Sequence, residues 1–268
     1  MNGEVAALIA LTLHGNEWLS DPRGPAPALE QVNSTFKYVN ALTFVGRKAR
    51  WSRRDSTISG TATWLETPVA RGVTRLSLIP SLAGSSGDLR PAVAGAFANG
   101  LARGVLASGN SSSLWLSSWE VGERDHPQNR IWNVTVTSMG KSPQQPAFAT
   151  VADAAADLEH ALRRIESFAA RQSLGFWAEW FREALGLGSS SSPEFPYNPD
   201  IAPMAWDDLH RRQLLASAMK SSVFGGMGSW NDLWLEDPTA QDEMVRVTDR
   251  LYAAMNRAFA AATGGAAP

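Results

Sequence analysis

The sequence predicts an α+β fold: an N-terminal, mostly antiparallel sheet of about five strands with one packed helix over residues 1–148, then a helical subdomain over 149–268. Three observations carry this expectation. Apolar residues recur with period two in the first half, they recur with the helical period after Thr150, and a Ser- and Pro-rich connector at 188–203 interrupts the second half.

TFKYVNALTFVG and TISGTATWLE have the alternation and β-branched content of strands, and GVTRLSLIP lines one side with Leu76 and Leu78. DLRPAVAGAFANGLARGVLAS reads as a single helix starting after Asp88, with Pro91 in its first turn. Its Gly100 and Gly104, four apart, imply that the segment lies unusually close to a neighbour. SLWLSSWEV places Trp115, Trp119 and Val121 on one side of a strand, and RIWNVTVTS does the same with Trp132, Val134 and Val136.

After this the period changes. Thr150 with Asp153 forms a variant capping box, and Ala154, Leu158, Leu162, Ile165 and Phe168 fall on one helical face. LGFWAEWFREALGL follows as a second helix, and the connector precedes a third from Trp206 to Ser222. Asp237 followed by Pro238 opens a fourth, whose stripe is Met244, Val247, Leu251 and Met255, and Gly264-Gly265 ends it.

Composition narrows the function classes. With 44% hydrophobic and 19% charged residues and a formal charge of −2, the chain has no global attraction for nucleic acid or anionic membrane. The absence of cysteine removes thiolate nucleophiles, disulfides and cysteine zinc sites together. The opening MNGEVAALIALTLHGNEW has no Lys or Arg before its apolar run and does not read as a secretory leader; no stretch has the length of a membrane span. A cytoplasmic protein is the expectation. Eleven tryptophans read first as core and interface filler.

VFGGMGSWNDLWLED, from Val223 to Asp237, is either a ligand cradle or a corner between helices. The corner accounts for more of it: Gly225 or Gly226 can take the left-handed conformation that ends a helix, and Ser229 can cap a short turn with Asp232 three residues on. A phosphate cradle of the GxxxxGK[ST] kind is absent, and no other nucleotide or cofactor motif predicts a bound cofactor. SSVFGGMGSWNDLWL, followed by VTDRLYAAMNRAF, resembles the end of an uncharacterised bacterial family with a GGMGS-x-NDL motif, and FWAEWFREAL resembles an earlier helix of that family. The resemblance covers about Leu158 to Ala262. It implies a helical architecture and a bacterial origin, and no activity.

GRKARWSRR places Arg47, Arg50, Arg53 and Arg54 around Trp51, a pattern that could hold a phosphate backbone and stack a base, although a solvated loop between strands is the commoner use. WEVGERDHPQNR gathers Glu120, Glu123, Asp125 and His126 in the loop of a hairpin. These are the best metal candidates in the chain, yet hairpin loops are polar anyway and Arg124 and Arg130 offer ion-pair partners, so no metal site is predicted. Asp157 and His160 share a helix face, and His14 and His210 stand alone. From Glu194 to Asp249 ten carboxylates face four Arg or Lys, an asymmetry that would steer a basic partner. The sequence therefore predicts a non-catalytic protein-interaction protein, of the immunity type that neutralises a toxin or similar partner. Trp230, Asn231, Asp232 and Trp234 are its candidate binding residues. The alternative is a nucleotide- or nucleic-acid-acting protein using 47–54.

Overall fold

The computed structural model describes residues 1–46, 56–67, 72–141, 147–225 and 228–264. It is an α+β fold built on a six-stranded mixed sheet with a C-terminal helical part. The chain opens with α1 (Gly3–Ser20), a one-turn α2 (Leu29–Val32) and a 3-10 turn at Ser34–Phe36. There follow β1 (Val39–Gly46), β2 (Ser56–Ser59), α3 (Thr61–Glu66), β3 (Val73–Ile79), α4 (Pro91–Ala94), β4 (Gly104–Gly109), β5 (Ser113–Val121) and β6 (Trp132–Lys141). The helical part is α5 (Val151–Arg171), α6 (Gly175–Ser189), α7 (Leu209–Lys220) and α8 (Pro238–Thr263).

The strands lie in the order β2-β1-β6-β5-β4-β3. All neighbours are antiparallel except β1 and β6, which run parallel with Phe44 beside Val136. One face is apolar. There Phe44 stacks on Trp64 with centroids 4.5 Å apart, and Trp115 meets Trp64 edge-on at 5.4 Å. The alternate positions Thr135 and Thr137 are half-buried, which gives β6 the period two seen in its sequence.

Three expectations needed correction. The first residues form α1, a helix buried along most of its length and apolar on nearly every side, so no amphipathic stripe announces it. It guards the sheet: β3 is an edge strand, and Asn16 takes up its free backbone groups by accepting from Leu76 N–H (2.7 Å) and donating to Leu76 O (2.9 Å). TISGTATWLE divides into β2 and α3 because Glu30 captures the Thr61 N–H (3.1 Å) and hydroxyl (2.7 Å) and holds the chain at the switch. The long helix after Asp88 is one turn, α4, and its last third is β4. Val105, Leu106 and Ala107 are buried between two neighbouring strands, so tertiary burial overrides their helical company. Gly104 is needed by that pairing, since a Cβ there would sit 1.8 Å from the Trp115 carbonyl oxygen.

The helical half follows its caps. Thr150 accepts from Asp153 N–H (3.0 Å), Asp208 from Arg211 N–H (3.1 Å) and Asp237 from Thr239 N–H (3.1 Å), which sets the starts of α5, α7 and α8. Asp157 does not work with His160; it pairs with Arg250 and Arg257 of α8 and ties α5 to that helix. The hydrophobic core is continuous from α1 and the sheet into α5 to α8.

Within this core lies an ion pair. Arg103 Nη1 donates to Glu4 Oε2 at 2.6 Å, with both side chains 1% exposed. Removing one partner strands the other charge in the interior. Glu4→Leu or Arg103→Met alone should therefore cost roughly 3–5 kcal/mol of stability, and the double variant should recover much of it. Chemical unfolding of the three variants tests this; single variants that unfold like the parent would contradict it.

Candidate functional site

The Val223–Asp237 stretch is built between the end of α7 and the start of α8. Helix α7 closes without help from a glycine: Ser221 N–H donates to Ser217 O (3.0 Å) and Ser222 N–H to Met219 O (3.1 Å). Gly225 lies further on, so it does not cap the helix as the sequence suggested. It does take a left-handed conformation, φ +94°, and turns the chain against the loop after α4, where a Cβ would lie 2.9 Å from Ala96 O. Gly226 is outside the described residues.

The next turn matches the expected pairing. Trp230–Asp232 is 3-10, and the Asp232 carboxylate accepts from Ser229 N–H at 3.0 Å. Trp230 is fully buried among Phe181, Trp177 and Phe168, at centroid distances of 5.2, 5.6 and 6.3 Å, and its Nε1–H donates to Thr248 Oγ1 at 2.7 Å. Asn231 donates to Ala92 O at 3.2 Å and holds α4. These two candidates fix the corner from within. Asp232 and Trp234 are left facing solvent, Trp234 with 76% of its surface exposed.

Two hollows meet at this corner and share Gly225 and Ser229. One, about 440 Å³, lies toward α4 and α8 and is lined by Arg90, Val93, Phe97, Leu233 and Met244. The other, about 260 Å³, lies toward α6 and is lined by Phe176, Trp177, Trp180 and Val223. Phe97 and Phe176 stand at the two sides, 62% and 67% exposed. Between 228 and 242 the chain has Asp232, Glu236, Asp237 and Asp242, all exposed, and no Lys or Arg. Two cations at the margins are already engaged: Arg90 with Asp249 (3.0 Å), and Lys220 with Glu183 (2.5 Å), its Nζ 3.4 Å from the Trp180 ring centroid.

The other candidates fall elsewhere. Glu120 stands on β5 and Glu123, Asp125 and His126 in the β5–β6 loop, where His126 Nδ1 accepts from Gln128 N–H at 3.1 Å. Among the described residues no three His, Asp or Glu side chains converge as metal ligands would. Arg47, Arg50, Trp51, Arg53 and Arg54 lie outside the described residues, between strands whose ends, Gly46 and Ser56, are paired.

One cluster was invisible in the sequence. Asp200, in the connector, accepts from Ser34 N–H (2.7 Å) and from the Ser34 hydroxyl, while Asn33 donates to Asp200 O (2.6 Å) and His14 Nε2 lies 3.1 Å from the same carbonyl. Asn198 donates to Ser34 Oγ at 2.9 Å. The residue types suggest nucleophilic catalysis, but the serine gives its hydroxyl proton to the carboxylate and the histidine faces a backbone oxygen. The serine–imidazole link is missing from these bonds. The arrangement is a strap that pins the connector onto the N-terminal part. Partners more than 160 residues apart leave no local signal.

Compared with known proteins, the chain matches no family model, no curated protein and no solved structure.

Gly225→Val should destabilise by roughly 1–2 kcal/mol or more, since it adds a branched side chain at positive φ and against Ala96. Gly228 also has positive φ, +78°, but has nothing within 4 Å of a Cβ, so Gly228→Ala should cost less. Thermal melts rank the two; the reverse order would show that the contact with the α4 loop does not constrain the corner.

Proposed function

We propose that this is a non-catalytic interaction protein whose docking face runs across the Gly225 corner. The observation that carries the reading is the pair of hollows meeting at Gly225 and Ser229, edged by exposed Phe97 and Phe176 and followed by exposed Trp234. Large aromatic side chains beside concave apolar surface are the usual anchors of a protein interface. Asp232 lines the larger hollow, exposed Glu236, Asp237 and Asp242 follow it in the chain, and these carboxylates would accelerate the approach of a basic surface. The partner in this reading is therefore a protein with a cationic patch and small or flat apolar residues to receive the aromatics.

An immunity-type role, in which binding covers and silences a toxin, is the specific form we favour. A toxin that grips a polyanionic substrate has a basic working surface, and an aromatic face with these carboxylates is chemistry suited to covering it. The GGMGS-x-NDL resemblance supports a bacterial setting for such a pair.

Partner capture from the source organism tests the reading, using the parent protein and a Phe97→Ala/Phe176→Ala/Trp234→Ala variant at low and moderate salt. A partner should be retained by the parent, weaken as salt rises, and bind the variant at least tenfold less, with the variant melting like the parent. A capture profile identical for parent and variant would sink the docking face. Salt-sensitive nucleic-acid binding lost on changing Arg50, Arg53 and Arg54 to alanine would replace it with the other class.

A further inference from the structure

A hollow of about 790 Å³ lies away from the corner, at one end of the α5–α6–α7 bundle. Its floor is apolar, formed by Leu158 and Leu162 of α5, Leu185 of α6 and Leu214 of α7. On α5 the lining positions 151, 155, 158 and 162 follow one helical face, so the floor runs for about three turns, on the order of 16 Å. One wall is open because α6 carries glycine at 186, where a Cβ would find nothing within 4 Å.

The rim is charged, with three guanidinium groups on it. Arg163, Arg182 and Arg211 line it, against the carboxylates of Glu159 and Asp208, and His210 adds another donor. Asp208 is further committed as the cap of α7. Arg211 pairs with Asp208 at 3.2 Å, and Arg163 and Arg182 pair with Glu159 and with Glu166 and Glu179; the last two arginines are exposed, 68% and 55%, and such pairs exchange readily for another anion. Behind Arg211 stands Arg75, whose guanidinium is pushed below its ordinary range first by burial and then by the Arg211 charge. An apolar trough of this volume with guanidinium groups at its edge has the composition of a small-molecule site.

We propose that this hollow binds a single amphipathic anion: an apolar chain or ring body lying along the leucine floor, with one carboxylate, sulfonate or phosphate head at Arg163, Arg182 and Arg211. The floor is a concave trough only on the order of 16 Å long between helices, which suits one chain and not a flat bilayer, so the ligand is a monomeric amphiphile and not a lipid surface. The Arg guanidiniums recognise the head through charge-assisted hydrogen bonds. The site is independent of the corner face, which it does not share residues with.

Binding of anilinonaphthalene sulfonate to the folded protein at neutral pH, followed by fluorescence, tests this. Saturable one-to-one binding should be displaced by dodecanoate and by dodecyl phosphate, and not by dodecyltrimethylammonium. Gly186→Trp fills the trough from an open position and replaces a helix-weakening residue, so it should melt at or above the parent temperature while binding at least tenfold more weakly. Arg163→Gln/Arg182→Gln should weaken dodecanoate at least tenfold as well. The proposal is overturned by the absence of saturable binding, by equal displacement with the cationic amphiphile, by unchanged affinity in Gly186→Trp, or by sedimentation with phosphatidylglycerol vesicles in place of monomer binding.

Discussion

The Glu4–Arg103 pair is the constraint around which the protein is arranged. A guanidinium in the interior must have its hydrogens placed, and Arg103 distributes them widely. Besides Glu4, it donates through Nη2 to Gly95 O (3.0 Å) and Tyr252 Oη (3.4 Å), and through Nε to Pro80 O (3.2 Å). Glu4 in turn accepts from the Ser117 hydroxyl at 2.8 Å. The first helix, strand β5, the chain at the end of β3 and the start of β4, the residue after α4 and the last helix thus meet at one charge. Such a network adds less to stability than an apolar replacement could, and its worth lies in admitting only one arrangement of the parts.

The Gly225 corner inherits this order. Gly95, fixed by Arg103, precedes Ala96 and Phe97; Ala96 is the residue that Gly225 approaches, and Phe97 borders the larger hollow. Asn231 holds α4 from the other side through Ala92. The corner is therefore a junction between the sheet and the helices. Buried Trp230 anchors it, while Phe97, Phe176 and Trp234 stay exposed around it.

Much of the fold was legible because it is local. The strands β5 and β6, the Thr150 and Asp237 caps and the stripe of α8 all arise from residues within a turn or a pleat of one another. What stayed hidden is what distant residues decide. Helix α1 shows no stripe because it is covered on nearly all sides, and β4 looks helical until β3 and β5 close on it. At the corner the Ser229–Asp232 turn could be read, whereas the partition of WNDLW into anchored Trp230 and Asn231 and exposed Asp232 and Trp234 depends on α4, α5, α6 and α8. The trough on the bundle was equally silent, since its arginines lie on three helices.

The parallel pairing of β1 with β6 has a consequence for how the chain comes together. Val39 lies beside Trp132, and Val45 beside Thr137, so the entire span between them must be made before the two strands can meet. During synthesis β1 and β2 can form their hairpin early, but that hairpin has no place on the sheet until β5 and β6 have emerged and paired. Closing so long a loop is slow in comparison with local hairpins. In that interval the side of β1 destined for β6 presents unpaired backbone groups beside Phe44, with the hazards of an open strand edge. The nascent protein is thus exposed at a strand that the finished sheet pairs on both sides, and a chaperone that shields residues 39–46 would cover that edge until β6 arrives.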